Sequence, residues 1–359
     1  MTWDLIRENL NLSMLYSFLL AGFVSMLIIP PIVRMAKLKK LFAEPNGRTS
    51  HNGNIPYLGG IAIFASLAIS TSLFADIGTP DEFQFIIPAL LIIFFIGLKD
   101  DVVCINPLYK LGAQVLTSLI VIMLADLRIR SMYGVFGVYE LPYIISVVLT
   151  LFVFVSLINA FNLIDGIDGL ASGLGIQISM IFGLWLGFLH QYSFSILAFS
   201  LAGSLIPFYF YNVLGGKNKL FMGDTGSLLI GLIIIILAIK IIHSKVPEGS
   251  VGMFRARPAV IVSAMIIPIA DILRIFAFRI VRGKSPFGAD KNHFHHYLLR
   301  LGMGHWQAST TIIAINILIF VLAVILRHWG NMELGLLILS LGIIITMVPG
   351  IILRLRRKT

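Results

Sequence analysis

The stretch LLIGLIIIILAIKII, residues 228–242, decides the fold. Lys240 is its one polar side chain, so apolar groups face every direction around the backbone. A membrane-spanning β-strand would alternate apolar and polar residues. An α-helix surrounded by lipid or by protein carries apolar groups all round. Similar runs recur along the chain. Hydrophobic residues make up 58% of the 359 and charged residues 12%, with a mean hydropathy of +0.96. A soluble domain is about 25% charged. The expected fold is therefore all-α: a polytopic integral membrane protein with about ten or eleven transmembrane helices, each needing roughly 20 apolar residues to cross the hydrocarbon core.

Spans are expected at residues 13–36, 58–75, 83–98, 108–125, 141–158, 171–189, 194–211, 225–242, 258–280, 308–326 and 334–353. The polar segments between them form two alternating sets. Segments 37–57, 99–107, 159–170, 212–224, 281–307 and the tail after Leu353 carry most of the lysine and arginine. The positive-inside rule places that set in the cytoplasm, with the amino terminus outside and the carboxyl terminus inside. These loops account for the net charge of +10 without a nucleic-acid partner. The lone Cys104 excludes an intramolecular disulfide. Asp4, Arg7 and Glu8 precede the first run and no small-residue cleavage site follows it, so a retained span is expected rather than a signal peptide. The polar loops are too short to bury a core, which implies a single transmembrane domain over 1–359 with its chemistry in the cytoplasmic loops.

Unusual side chains concentrate on that face. Asp100 and Asp101 end the third span; adjacent carboxylates repel unless a cation or proton separates them, and a helix C-terminus disfavours acids. The segment Asn159–Ala171 packs two asparagines with Asp165 and Asp168 into one turn. Those two aspartates share a face if the turn is helical; a plain polar turn would explain the Asn and Gly but does not require the acids. Phe221–Ser227 places Asp224 at the start of an apolar run, where it could cap the helix or where exposed amides could bind phosphate. The basic loop 281–307 contains His293, His295 and His296, suited to a diphosphate or a metal. Arg48 and His51 precede Pro56 and the Gly59-Gly60 pair, which suits close backbone approach. Asp271 and Arg274 lie three apart within the ninth span and read equally as a buried structural couple or a functional pair. Oxygen ligands dominate, which favours Mg²⁺, with Mn²⁺ as the alternative, over a softer metal.

These segments, in this order from about Arg34 to Gly302, resemble the polyprenyl-phosphate N-acetylhexosamine-1-phosphate transferases (glycosyltransferase family 4). The resemblance implies a bacterial plasma-membrane enzyme. It would move a sugar-1-phosphate from a UDP-N-acetylhexosamine to polyprenyl phosphate, such as undecaprenyl phosphate, releasing UMP and initiating a cell-surface glycan. It also implies Mg²⁺ dependence, and is compatible with a homodimer. By the same resemblance Asp224 is the metal ligand and Asp100 and Asp101 are the essential acidic pair. Lys110 is a phosphate contact, Asn162 and Asp165 read the uracil edge beside Asp168, and Phe221 stacks on the ring. Arg48, His51, His293, His295 and His296 lie near the donor diphosphate and sugar.

The pattern departs from the family at Cys104, where members often carry a third acid or amide, so no three-carboxylate cluster is expected there. His293-Phe294-His295-His296 and the isoleucines at 164 and 167 look more like the lipopolysaccharide and capsule-type initiating enzymes. N-acetylglucosamine is the expected sugar, and the peptidoglycan-precursor phospho-N-acetylmuramoyl-pentapeptide transferase is the alternative. A transporter would place its polar groups near the midplane, often in inverted repeats, which this chain lacks. A CDP-alcohol phosphotransferase needs an arginine after Asp168-Gly169-Leu170-Ala171, where Ser172 stands.

Overall fold

The computed structural model describes residues 10–39, 41, 55–75, 82–245, 256–283 and 292–356. Apart from one isolated antiparallel bridge between Ser131 and Glu140, the regular structure among them is helical. Each expected span corresponds to a helix or a broken pair. In chain order these are α1 (Leu10–Leu38), α2 (Gly59–Phe74), α3 (Ile86–Val103), α4 (Pro107–Met123), α5 (Tyr143–Ile164), α6 (Leu170–Phe188), α7 (Tyr192–Leu214), α8 (Gly223–His243), α9 (Arg257–Ala264), α10 (Ile266–Val281), the short α11 (Phe294–Arg300), α12 (His305–Ile325) and α13 (Asn331–Arg356). Seven of these are long and apolar enough to cross a membrane, or eight if the bent pair α9–α10 is one span. Of the remaining expected spans, α2 and α4 are shorter apolar helices, and α3 carries Lys99, Asp100 and Asp101 in its last two turns.

The chain divides into two compact units. The first contains α1–α8. Its centre is α8, in which every residue from Thr225 to Ile241 is buried. The stretch that reads as apolar on all sides is therefore surrounded by protein, against α2, α3 and α7. Lipid offers no hydrophobic drive for helices to associate, so small and hydroxylated residues supply the joints. Ser25 Oγ donates to the Ser204 carbonyl at 2.9 Å, Ser70 Oγ to the Ser17 carbonyl at 2.6 Å, and Ser200 Oγ to Ser70 Oγ at 3.0 Å. These bonds tie α1, α2 and α7 together.

The second unit contains segment 130–143, the turn 166–170 and helices α9–α13. The expected continuous span 258–280 is broken at Met265, and α9 and α10 meet at 82°. Pro268 explains the break, because it has no N–H for the carbonyl of Ala264 four residues back. Asn316 of α12 repairs the loss. Its Nδ2 donates to the Ala264 carbonyl at 2.7 Å and its Oδ1 accepts from Ile267 N–H at 3.3 Å. Non-helical backbone in a membrane protein persists where such partners satisfy it.

Candidate active site

In the first unit the ends of several helices converge. The α3 C-terminus supplies Asp100 and Asp101, and the start of α4 supplies Lys110. Asn106 caps α4, its side chain accepting from Leu108 N–H at 2.9 Å, and Pro107 occupies the first helical position. Asn162 comes from the last turn of α5 and Asp224 from the first turn of α8. The Gly59-Gly60 pair opens α2 and touches the same turn. Gly59 and Gly60 N–H donate to the carbonyls of Phe221 and Met222 at 3.0 and 2.9 Å. A Cβ at Gly60 would sit 2.5 Å from Gly226 N, so the close approach expected of this pair is what holds the Phe221–Ser227 turn.

The two adjacent aspartates do different things. Asp101 accepts from the Asp224 and Thr225 amides at 2.7 and 3.1 Å, and from Thr225 Oγ1. It therefore caps α8 from another helix, and those amides are not open to a phosphate. Burial pushes the Asp101 carboxyl up to about 7, although the bonds from Thr225 favour its ionised form. Asp100 accepts from Ile105 N–H at 2.8 Å, closing the turn into α4, and its other oxygen lies 3.2 Å from Lys110 Nζ.

Relieved of capping its own helix, the Asp224 carboxylate faces the cluster. One oxygen pairs with Lys110 Nζ and the other accepts from Asn162 Nδ2 at 2.8 Å. Asn162 Nδ2 also reaches Ser227 Oγ at 3.1 Å. Lys110 thus lies between two carboxylates, with side chains only 17% exposed for Lys110 and Asp100 and 31% for Asp224. Asn159 exchanges amide hydrogen bonds with Gln114 of α4, at 2.7 and 3.3 Å. Beside this cluster, Tyr57 and Phe221 have ring centroids 5.5 Å apart, with Lys219 Nζ 5.6 Å from the Phe221 ring. Burial, and then the negative charges of Asp165 and Asp101, push the Tyr57 phenol up, which places Asp165 near the ring pair.

The turn after α5 is not helical, so Asp165 and Asp168 do not share a helix face. In the second unit Asp168 is buried, and its Oδ2 lies 3.2 Å from His305 Nδ1. The histidine loop is held by Asp271. Asp271 Oδ2 meets His293 Nδ1 at 2.8 Å, while Oδ1 accepts from Phe294 N–H at 2.9 Å and from Arg274 Nη2 at 2.5 Å. Arg274 also donates to the Asn292 carbonyl at 2.6 Å and lies over the Tyr297 ring at 5.2 Å. The couple inside the ninth span is therefore the anchor of the loop. His293 and His295 rings stack 5.6 Å apart, and His296 is 4.2 Å from His295. Burial, with His296 adding to it, holds the His295 imidazole well below its ordinary value. Arg48 and His51 lie outside the described residues. Sequence reasoning missed His305, Tyr57 and Gln114, which stand outside the recognisable motifs.

Comparison with known proteins gives this arrangement a family. A model described as glycosyl transferase family 4 matches residues 83–242. The undecaprenyl-phosphate alpha-N-acetylglucosaminyl 1-phosphate transferase of Escherichia coli (strain K12) is 32% identical over 284 residues, covering 78% of this chain and 74% of its own. The chain belongs to glycosyl transferase family 4. The Salmonella typhimurium transferase of the same description is 33% identical to this family 4 transferase over 277 residues, 76% of this chain and 72% of its own. The decaprenyl-phosphate N-acetylglucosaminephosphotransferase of Mycobacterium leprae is 30% identical over 351 residues, 90% of this chain and 86% of its own. The family match spans Asp100, Asp101, Lys110, Asn162 and Asp224 of the transferase, the residues gathered in the first unit.

Proposed function

We propose that this enzyme transfers N-acetylglucosamine-1-phosphate from UDP-N-acetylglucosamine to a polyprenyl phosphate, giving polyprenyl-diphosphate N-acetylglucosamine and UMP. The cluster of Asp100, Lys110, Asn162 and Asp224 carries the reading, together with the names of the relatives. A lipid acceptor requires a membrane-embedded catalyst, and two approaching phosphates require cations to offset their repulsion. The basic loops support a bacterial plasma-membrane location with this end in the cytoplasm.

Among the described residues no group of three or more His, Cys, Asp or Glu side chains forms a ready-made metal cage. The donor set nonetheless fits Mg²⁺. Asp100 Oδ2 and Asp224 Oδ2 converge on one cation, the Lys110 ammonium, and Mg²⁺ is commonly held by one or two carboxylates with substrate phosphates completing its shell. When bound, it supplies charge stabilisation to the phosphoryl oxygens. Asp224 and Asp100 are the residues that would hold it, with Asn162 fixing the orientation of Asp224.

The acceptor is a phosphate monoester whose second pKa is near 6, so it is largely dianionic at neutral pH and needs no general base. One of its oxygens attacks the sugar-bearing phosphorus, and the bond from that phosphorus to the bridging oxygen of UMP breaks. Lys110 draws the phosphates in and Asp100 orients Lys110. Phe221, with Tyr57, offers a stacking face to uracil, and Asp165 can accept its N3–H. By the family resemblance Asp168 is a donor-binding residue of the asparagine motif, and the histidines serve the diphosphate and sugar.

Purified protein offered polyprenyl phosphate and a panel of UDP-sugars, with lipid products identified by mass, tests the reading. Transfer from UDP-N-acetylglucosamine is expected. Transfer only from a UDP-N-acetylmuramoyl-pentapeptide would reassign the enzyme to peptidoglycan precursors. No transfer from any UDP-sugar would sink the proposal.

A further inference from the structure

His305 opens α12, outside the histidine motif, and its Nδ1 lies 3.2 Å from Asp168 Oδ2 and 3.4 Å from the Asp168 backbone nitrogen. One ring nitrogen therefore faces an acceptor and a donor of the same residue. Without a proton, Nδ1 accepts from the Asp168 N–H; with one, it donates to the carboxylate in a charge-assisted bond. Either way the ring fixes Asp168, which is itself buried.

The neighbouring part of the turn is held as well. A Cβ at Gly166 would fall 2.5 Å from His295 Nε2, so only glycine lets the backbone rest against that imidazole. His305 is also close enough to His295 to disfavour a charge there. The turn 166–170 is thus pinned at two points, by His295 at Gly166 and by His305 at Asp168. With His293 and His296 these rings form one group of four histidines around the turn.

We propose that His305 is a positioning residue for donor binding, acting through the Asp168 carboxylate. The proposal rests on the donor-binding role given above to Asp168 and the histidine loop. A ring that merely packs the start of α12 would affect stability, and would affect both substrates alike. A ring that aims Asp168 at the donor would affect the donor alone.

The test uses the full chain in detergent, with kcat and KM measured for UDP-N-acetylglucosamine and for polyprenyl phosphate. His305→Ala should raise the donor KM about tenfold, the scale of one hydrogen bond to a charged group, and leave the acceptor KM unchanged. His305→Asn, whose amide reaches where Nδ1 does, should recover most of the loss. His305→Gln keeps the bulk but reaches where Nε2 does, and should behave like His305→Ala even if the alanine variant folds poorly. The double variant Asp168→Asn/His305→Ala should be no worse than Asp168→Asn, because the two act as a unit. Parental constants in His305→Ala and His305→Gln, losses spread over both substrates with a lowered melting temperature, or additive effects in the double variant would each overturn the assignment. An active parent with a harmless Asp168→Asn would remove the role of Asp168 and this proposal with it. A parent inactive with every UDP-sugar would instead overturn the function on which the proposal stands.

Discussion

The Asp101 carboxylate holds the amides of Asp224 and Thr225, and the Asp224 carboxylate is left to meet Lys110 and Asn162. Substitutions at the two sites should therefore fail differently. Asp224→Asn keeps shape and removes the charge a hard cation prefers. UMP release should fall by roughly three orders of magnitude, with the melting temperature in detergent unchanged; activity within tenfold of the parent would return Asp224 to a structural role. Asp101→Asn weakens a cap and should lower stability by about 1 kcal/mol, read as a lower melting temperature. His295 gives a pH signature. Burial, then His296, His293 and His305, hold it neutral against the pull of Asp271. Below pH 6.5 the unfolded chain takes up a proton there that the folded chain refuses, so stability falls with acidification at up to about 1.4 kcal/mol per pH unit. His295→Gln should flatten the melting-temperature profile below pH 6.5, and an unchanged profile would show that His295 is not its source. Asp224 was legible from its place before an apolar run. Which acid caps that run was not, because the answer depends on the tertiary approach of α3.

Among elements, the α9–α10 break shows where periodicity stops informing. Residues 258–280 are apolar enough for one span, and that is how the pattern reads. Pro268 carried the signal of a break, but its depth depended on Asn316, 52 residues from the carbonyl that it rescues. Asn316→Leu leaves that carbonyl and the Ile267 amide without their partner, each costing about 1–3 kcal/mol. A clearly lowered melting temperature is expected; a variant melting with the parent would mean that water or a shifted backbone replaces the amide. In the turn after α5 the spacing alone decides nothing. Asp165 and Asp168 have helical spacing, yet α5 ends at Ile164 and Gly169 takes φ +76°, a conformation that glycine adopts freely.

At the scale of the molecule, composition and run length carried the helical membrane fold, and the alternation of spans placed the reactive residues at one face. In the first unit Asp100, Lys110, Asn162 and Asp224 come from four helices and meet. That α8 is a protein-lined centre was not legible, because lipid and protein select the same apolar side chains. Membrane orientation can be tested within the first unit, where α7 separates His190 from Lys217. A cysteine replacing His190 should react with an impermeant reagent in intact cells and one replacing Lys217 should not; equal labelling would defeat the orientation.

The trans cap on α8 also bears on biogenesis. Asp101 and Asp224 are 123 residues apart, so the ribosome delivers the acidic pair well before the helix it caps. Until α8 is inserted beside α3, Asp101 lacks the amides that it will hold, and no Asp224 is present to face Lys110. Completing the carboxylate–lysine cluster and seating the central helix are then the same event. A nascent chain cannot gather these side chains before its interior is assembled.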